Sequence, residues 1–490
     1  MPTFDILRTG VPGLDTVLGG GLPAGSFNVV GGDPGAGKTT LAHQILFANA
    51  TEERPALFCT LVGEPPIKML RYQQQFDFFD VERVGSAIHY MNLHGEVLEG
   101  DLDGVFDALV EEVERLEPAF VVVDSFRSVT AQARLESRAP SSRLRSFVQR
   151  LSNAMTRWET TSFLLGEFRT EETPNNPLFT IADGVFWLRQ QPQGDTRVRK
   201  LTVSKLRGAA ELAGQHVYRI SSAGLRVYPR AFRDLDDPVH DTADRTRMAT
   251  GVEGLDEMLD GGFVRGDAVI VSGPSGTGKS VLGMHFAGAG LDAGENVVVA
   301  TFEENVDRFI DRAALLGNDF RSAVAENRLS LFHRRPLDLS VDETFEEILD
   351  RVDEIRASRV VIDSLSGLQV AASGTEAERL RESMGRLVQT LTTAGVTVMM
   401  TAELSQQVDQ LRFTPHDSSF LADDVVLLRY VEVRGRLKTV MSVVKMRRSA
   451  HTRAFHHYEI GAEGIAVGRA LENFHGILTG VPEITGDAEP

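Results

Sequence analysis

Residues 9–40 read TGVPGLDTVLGGGLPAGSFNVVGGDPGAGKTT, and residues 250–281 read TGVEGLDEMLDGGFVRGDAVIVSGPSGTGKSV. The two stretches align without a gap, and nearly half of their positions are identical. A self-match on this scale means that a whole domain is duplicated, not a short solenoid repeat. Later landmarks keep the same spacing to within a residue or two. Asp124 in AFVVVDS answers Asp363 in RVVIDS, and Lys205 in VSKLR answers Lys445 in VVKMR. The 490 residues are therefore expected to divide into a first domain over 1–230, a polar linker over 231–248, a second domain over 249–470 and a tail over 471–490. That division suits the length, because single cores stop growing at about 250–300 residues.

Within each copy, short apolar runs alternate with longer segments of helical period. In the first copy SFNVVGG, ALFCTL, AFVVVDS, TSFLLGEF and GVFWLRQ read as strands. Their runs are almost unbroken, as expected for parallel strands covered on both faces. DGVFDALVEEVERLEP and SSRLRSFVQRLSNAMTRW carry apolar residues three and four apart, the helix period. The fold class expected is α/β, each domain a mostly parallel β-sheet flanked by helices.

Each opening stretch ends in a phosphate-loop pattern, G-x-x-x-x-G-K-[ST], between an apolar strand and a helical segment. The first is Gly32, Asp33, Pro34, Gly35, Ala36, Gly37, Lys38 and Thr39, running into Thr40. The second is Gly273, Pro274, Ser275, Gly276, Thr277, Gly278, Lys279 and Ser280, running into Val281. Glycines let the chain curl with its N–H groups inward, and the helix N-terminus adds partial positive charge for a phosphate. Lys38 and Lys279 are placed to reach β- and γ-phosphates, and the Thr39 and Ser280 hydroxyls to join the shell of a magnesium ion. The ligands expected are ATP and Mg2+. The alternative, a glycine-rich turn with an incidental lysine, does not explain two copies in register in one strand–loop–helix context.

Asp124 and Asp363 each close an apolar run, where an acid at the carboxyl edge of a sheet holds the metal shell. An Asp-Ser pair after a strand is also good helix-capping chemistry. In VVVATFEEN the second copy carries Glu303 and Glu304, adjacent carboxylates that point in different directions from a strand end. One can polarise an attacking water or hydroxyl while the other tunes it. The bland alternative is an acidic helix start. The first copy has Val62 and Gly63 at these places, with Glu64 one residue on. Either a one-residue shift lets Glu64 serve, or this site binds ATP and hydrolyses it poorly. Late in each copy Lys205, Leu206 and Arg207, and Lys445, Met446 and Arg447, end apolar strands. Their paired cations suit the γ-phosphate of a neighbouring subunit's nucleotide, as an arginine finger does; ordinary solvent-facing strand charge is the alternative.

The balance is acidic, with 69 Asp+Glu against 51 Lys+Arg. This disfavours a nucleic-acid coat, which needs basic surface. The single cysteine, Cys59, cannot form an intrachain disulfide and reads as buried filler. No leader pattern opens the sequence and no run approaches the ~18 apolar residues of a membrane helix. No membrane association is expected, and the cytoplasm is the expected compartment.

The duplicated TG-x-x-GLD-x-x-L-x-GG opening, the two phosphate loops, TFEEN, KLRG and KMR resemble the KaiC family of RecA-like ATPases over about residues 5–470. The resemblance implies two tandem RecA-like P-loop NTPase domains that assemble as a double-ring homohexamer with ATP between subunits. It implies ATP hydrolysis and Ser/Thr autophosphorylation in the second domain, in signalling or circadian timing, with possible clock partner proteins. Glu303 and Glu304 match the family's paired catalytic glutamates, and Lys445, Met446 and Arg447 its strand contacting the neighbour's nucleotide. PHDSSFLADDVVLL resembles its phosphorylation segment, with Ser419 at the phosphoserine, Phe420 at the place of a phosphothreonine and Ser418 as a second acceptor. Turn chemistry also suits the two serines. A RecA-like DNA-dependent ATPase and a nucleotide-gated assembly scaffold are the competing functions.

Overall fold

The computed structural model describes residues 5–61, 66–93, 102–126, 140–168, 176–193, 196–230, 245–335, 341–370, 375–404, 422–433, 435–447, 449–471, 474–475 and 483–484. The chain separates into two compact units, Met1–Ala231 and Phe232–Pro490.

The first unit is built on a nine-stranded sheet. Its strands are β1 (Phe27–Gly32), β2 (Ala56–Thr60), β3 (Ile88–Asn92), β4 (Phe120–Asp124), β5 (Thr161–Gly166), β6 (Gly184–Gln193), β7 (Thr196–Leu206), β8 (His216–Ser221) and β9 (Gly224–Tyr228). The spatial order is β9-β8-β7-β6-β1-β5-β4-β2-β3. From β3 across to β6 the pairings are parallel. β7, β8 and β9 extend the sheet antiparallel. Alternate residues of each parallel strand feed two cores. Val30, Phe58, Val122 and Leu165 face helix α1 (Lys38–Asn49) through Leu41, Ile45 and Leu46. Val29, Leu57, Cys59, Val121 and Leu164 face helices α2 (Leu102–Leu116) and α3 (Pro140–Arg157) through Leu109, Val113, Val148 and Leu151. This two-sided cover is why the strands read as continuous apolar runs. Cys59 is fully buried, and burial pushes its thiol well above the ordinary range.

The second unit repeats the plan. Its strands are β10 (Ala268–Gly273), β11 (Val297–Thr301), β12 (Leu329–His333), β13 (Arg359–Asp363), β14 (Thr397–Glu403), β15 (Asp424–Val433), β16 (Arg436–Met446), β17 (His456–Gly461) and β18 (Gly464–Ala470). The order β18-β17-β16-β15-β10-β14-β13-β11-β12 is the first sheet's order renumbered. Val269, Val271, Val297 and Val299 pack on the side of helix α4 (Lys279–Asp292). Ile270, Val298, Val360 and Ile362 pack with helix α6 (Val341–Ile355), which follows α5 (Val306–Leu315). Arg247–Met248, within the stretch read as linker, pairs with Phe263–Val264, and Met248 is buried in this core. In the tail, Phe474–His475 pairs with Glu483–Ile484.

The TG-x-x-GLD stretch acts as a clasp. Thr9 donates to Asp15 from its backbone N–H (2.8 Å) and its hydroxyl (2.7 Å), and the Thr250 N–H donates to Asp256 (2.7 Å). Gly13 and Gly10 are glycine by necessity. With φ near +77° and +70°, a Cβ would stand 1.9 Å from the Val227 carbonyl oxygen or 2.3 Å from the Ala48 methyl.

Candidate functional site

Each central strand, β1 and β10, runs at its carboxyl end into the phosphate loop and then into α1 or α4. Gly37 (φ 92°) and Gly278 (φ 88°) stand immediately before those helices in the left-handed region. A Cβ there would also meet the Ile220 or Ile460 side chain at 2.4 or 2.6 Å. The left-handed backbone is what binds both positions to glycine, and a side chain there would also have to displace the end of that isoleucine. Asp33, Pro34, Gly35, Ser275 and Gly276 are exposed, whereas Ala36 and Thr277 are buried.

The lysines fold back over their own loops. The Lys38 ammonium donates to the Gly32 (3.1 Å) and Asp33 (2.8 Å) carbonyls, and that of Lys279 to the Pro274 carbonyl (2.8 Å). Burial holds both below the ordinary lysine range. Glu167, Asp124 and Asp33 oppose that shift at Lys38; Glu403, Glu303 and Asp363 oppose it at Lys279. Opposite the loops, Asp124 and Asp363 are the last residues of β4 and β13. The Thr39 hydroxyl donates to Asp124 at 2.6 Å, and Ser280 is hydrogen-bonded to Asp363, which also accepts from Thr401. Burial pushes both carboxyls above the usual range. An ammonium and a carboxyl, each largely out of water and pushed toward neutrality, suit a polyanion beside the lysine and a divalent cation beside the acid. The hydroxyl–carboxylate pair is oxygen chemistry of the kind magnesium takes. The residues thus fit Mg-ATP.

Glu303 and Glu304 follow β11 and do diverge. Glu303 accepts a hydrogen bond from Ser364, beside Asp363, and it acts electrostatically on Lys279. Glu304 turns to Arg312 on α5, at 2.8 Å. Neither caps α5; that task falls to Asn305, whose side chain accepts from the Arg308 N–H at 2.9 Å. Glu64, Val62 and Gly63, and the serines Ser418 and Ser419, lie outside the described residues.

The basic pairs sit far from their own loops. Lys445 stands opposite Val425 on β15, whereas β10 reaches its loop one residue beyond the Ser272–Leu427 pairing. That is about 10 Å along the sheet at ~3.3 Å per residue, and the loop continues away. Arg207 and Arg447 lie one residue past the strand ends, Leu206 and Met446. A register break beside each lysine, at Val185/Phe186 and at Val425/Val426, re-aims the strand. The Lys205 ammonium donates to the Thr180 carbonyl (2.9 Å) and that of Lys445 to the Ala422 carbonyl, while Arg207 and Arg447 stand 3.3 and 3.6 Å from Asp183 and Asp423. Loop, strand-end aspartate and Glu303 therefore gather at one edge of a sheet, and the basic pair at the other.

Two matched pairs escaped the sequence reading. The Tyr218 hydroxyl, on β8, donates to the Ala36 carbonyl at 2.5 Å; that of Tyr458, on β17, donates to the Thr277 carbonyl at 2.6 Å. Each phenol is a buried strut between the antiparallel hairpin and the phosphate loop. Glu167 and Glu403 follow or end the strands next to β1 and β10. Carrying the repeat spacing into HVYRIS and HHYEIG, and into LLGEF and MTAEL, finds all four.

A family model described as "ATPase: KaiC" matches residues 7–231 and again 248–472. The chain is similar to the circadian clock protein KaiC3 of Synechocystis sp., at 27% identity across 99% of this chain and 95% of that protein. It is similar to the circadian clock oscillator protein KaiC of Picosynechococcus sp. at 28% identity, covering 97% and 92% of the two chains. The protein of the same name from Synechococcus elongatus is 26% identical over 97% and 91%. Among the described residues, no helix is long and apolar enough to cross a membrane.

Proposed function

The chain belongs to the KaiC family of ATPases, and from that premise we propose that it binds Mg-ATP in both domains, hydrolyses it, and phosphorylates itself in the second. The observation that carries this reading is the repeated triangle of loop lysine, loop hydroxyl and strand-end aspartate, with the Thr39–Asp124 contact at 2.6 Å. Thr39 with Asp124, and Ser280 with Asp363, would hold a magnesium ion, which would supply charge neutralisation for the phosphates. Lys38 and Lys279 exchange their loop carbonyls for phosphate oxygens. The loop amides of residues 32–40 and 273–281 hold the remaining phosphate charge. Glu303 orients the attacking hydroxyl or water, while Arg312 keeps Glu304 turned away from it. In the first domain Val62 and Gly63 hold the positions of the paired glutamates, so its water has to be oriented from elsewhere.

Lys205, Leu206 and Arg207, and Lys445, Met446 and Arg447, contact the nucleotide of the neighbouring subunit in a double-ring homohexamer. Their distance of about 10 Å along the sheet from the loop of their own domain supports this. Ser419, with Ser418 beside it, accepts the γ-phosphoryl group, and the cycle serves signalling or circadian-type timing through partner proteins.

Nucleotide stoichiometry and phosphosite mapping test this together. The chain is expected to bind one ATP per domain, with Lys38→Ala and Lys279→Ala each losing one site. Mass spectrometry after incubation with Mg-ATP is expected to find phosphate on Ser419. Consumption of ATP with Ser418 and Ser419 both unmodified would end the kinase part of the proposal and leave the ATPase part standing.

A further inference from the structure

The strand beside each phosphate-loop strand carries a carboxylate that neither loop nor magnesium chemistry uses. Gly166 pairs with Gly31, so Glu167 follows immediately beside Gly32, where the first loop begins. Glu403 pairs directly with Gly273, the first residue of the second loop. The chain is pinned there on both sides. The Leu404 N–H donates to the Gly273 carbonyl (3.2 Å), and the Glu403 N–H donates to the Ser366 hydroxyl (3.1 Å). In the first domain Phe126 ties the segment after Asp124 to the Leu165 carbonyl at 2.7 Å. Glu167 is half-buried and Glu403 exposed. In the sheets β5 lies between β1 and β4, and β14 between β10 and β13, so each carboxylate stands at the strand between the phosphate loop and the strand-end aspartate.

The two sites differ in what else is present. Around Lys279 there are Glu403, Glu303 and Asp363; around Lys38, Glu167, Asp124 and the loop's own Asp33. Asp124 is taken up with Thr39, and the Asp33 carboxylate accepts the Gln190 N–H at 2.8 Å. At the place of Glu303 the first copy has Val62.

Resting on the two-site reading above, we infer that Glu167 is the residue that orients the attacking water in the first domain, and that Glu403 assists Glu303 from the matching position in the second. A carboxylate at the loop's edge, between lysine and magnesium acid, faces the end of the nucleotide that carries the γ-phosphate. It accepts a hydrogen bond from water and turns the water's lone pair to phosphorus. The water oxygen bonds to the γ-phosphorus as the bond from that phosphorus to the β,γ-bridging oxygen breaks. The bridging oxygen leaves on ADP, and the water's proton passes through Glu167 to the inorganic phosphate. The first domain then needs no shifted glutamate.

The test uses full-length protein with one site silenced. In a Lys279→Ala background, Glu167→Gln is expected to lower kcat for ATP by about 100-fold, the scale of a lost general base. The Kd for ATP should move little, and Glu64→Gln should leave kcat within about 3-fold, far short of that scale. In a Lys38→Ala background, Glu403→Gln is expected to cost much less than Glu303→Gln. A Glu167→Gln kcat close to its parent, or a Glu64→Gln loss of the size expected for Glu167, overturns the inference. So does a fall in ATP affinity that accounts for the whole loss. If the Lys279→Ala protein binds ATP but never turns it over, this inference falls while the two-site reading survives on its stoichiometry.

Discussion

At the scale of single residues, the phosphate loops are held from above as well as from below. The glycine pattern and the lysines were readable because phosphate chemistry fixes them at short range along the chain. The struts Tyr218 and Tyr458 were not, since each lies 182 or 181 residues from its loop partner and only the fold brings the two together. Divergence of Glu303 and Glu304 was anticipated from strand-end geometry. Their anchors were not, because Ser364 and Arg312 sit on other elements. The strut makes a specific prediction. Tyr458→Phe keeps the buried ring but leaves the Thr277 carbonyl without its donor, which should cost about 1–2 kcal/mol. Urea denaturation should report that loss, and titration with ATP should show several-fold weaker binding at the second site with the first unaltered. Unchanged stability would mean that the loop does not need the hydroxyl.

At the scale of elements, the parallel strands and their covering helices were legible because two-sided burial leaves long apolar runs. The antiparallel extension was harder to see. β16 begins with the exposed Arg436 and Leu437 and buries only Val440–Val443 in a run, so its second half reads as an apolar strand while its full length and its antiparallel pairing do not. The two sheets, equal in topology, differ underneath. Where the first has Ser26 and Gly184, the second has Asp267 and Asp424, both fully buried at the start of neighbouring strands. Burial, then Asp267, then Asp423, push the Asp424 carboxyl up to about 8 from its ordinary 3.8, against Lys445 and a backbone hydrogen bond from Arg447. Between those values the folded chain keeps a proton that the unfolded chain has lost. Stability therefore falls as pH rises through that window and levels off above about 8. Asp424→Asn, fixed in the neutral form, should remove this slope. Melting curves from acid to mildly alkaline pH should separate the two proteins progressively, by about 2–4 °C for each kcal/mol at this domain size. Parallel curves would mean that the pair carries no proton-linked stability.

At the scale of the whole molecule, the duplication was the plainest signal in the sequence, and the sheets repeat it strand for strand. The separation of basic pair from loop was invisible to pattern reading, because it depends on which strands run antiparallel. It predicts complementation between subunits. Lys445→Ala combined with Arg447→Ala should abolish most turnover at the second site while leaving its ATP binding within a few-fold. Mixed with Lys279→Ala protein, whose basic pair is intact, part of that turnover should return. Absence of any recovery after subunit exchange would place the defect within the chain.

With loop and prong on opposite rims of one sheet, the proposed contact between subunits would make an isolated copy an engine whose spark sits on the next cylinder. Specific activity should then climb with protein concentration and collapse on dilution, well before ATP is released. The amount of protein a cell makes would itself decide whether the enzyme runs.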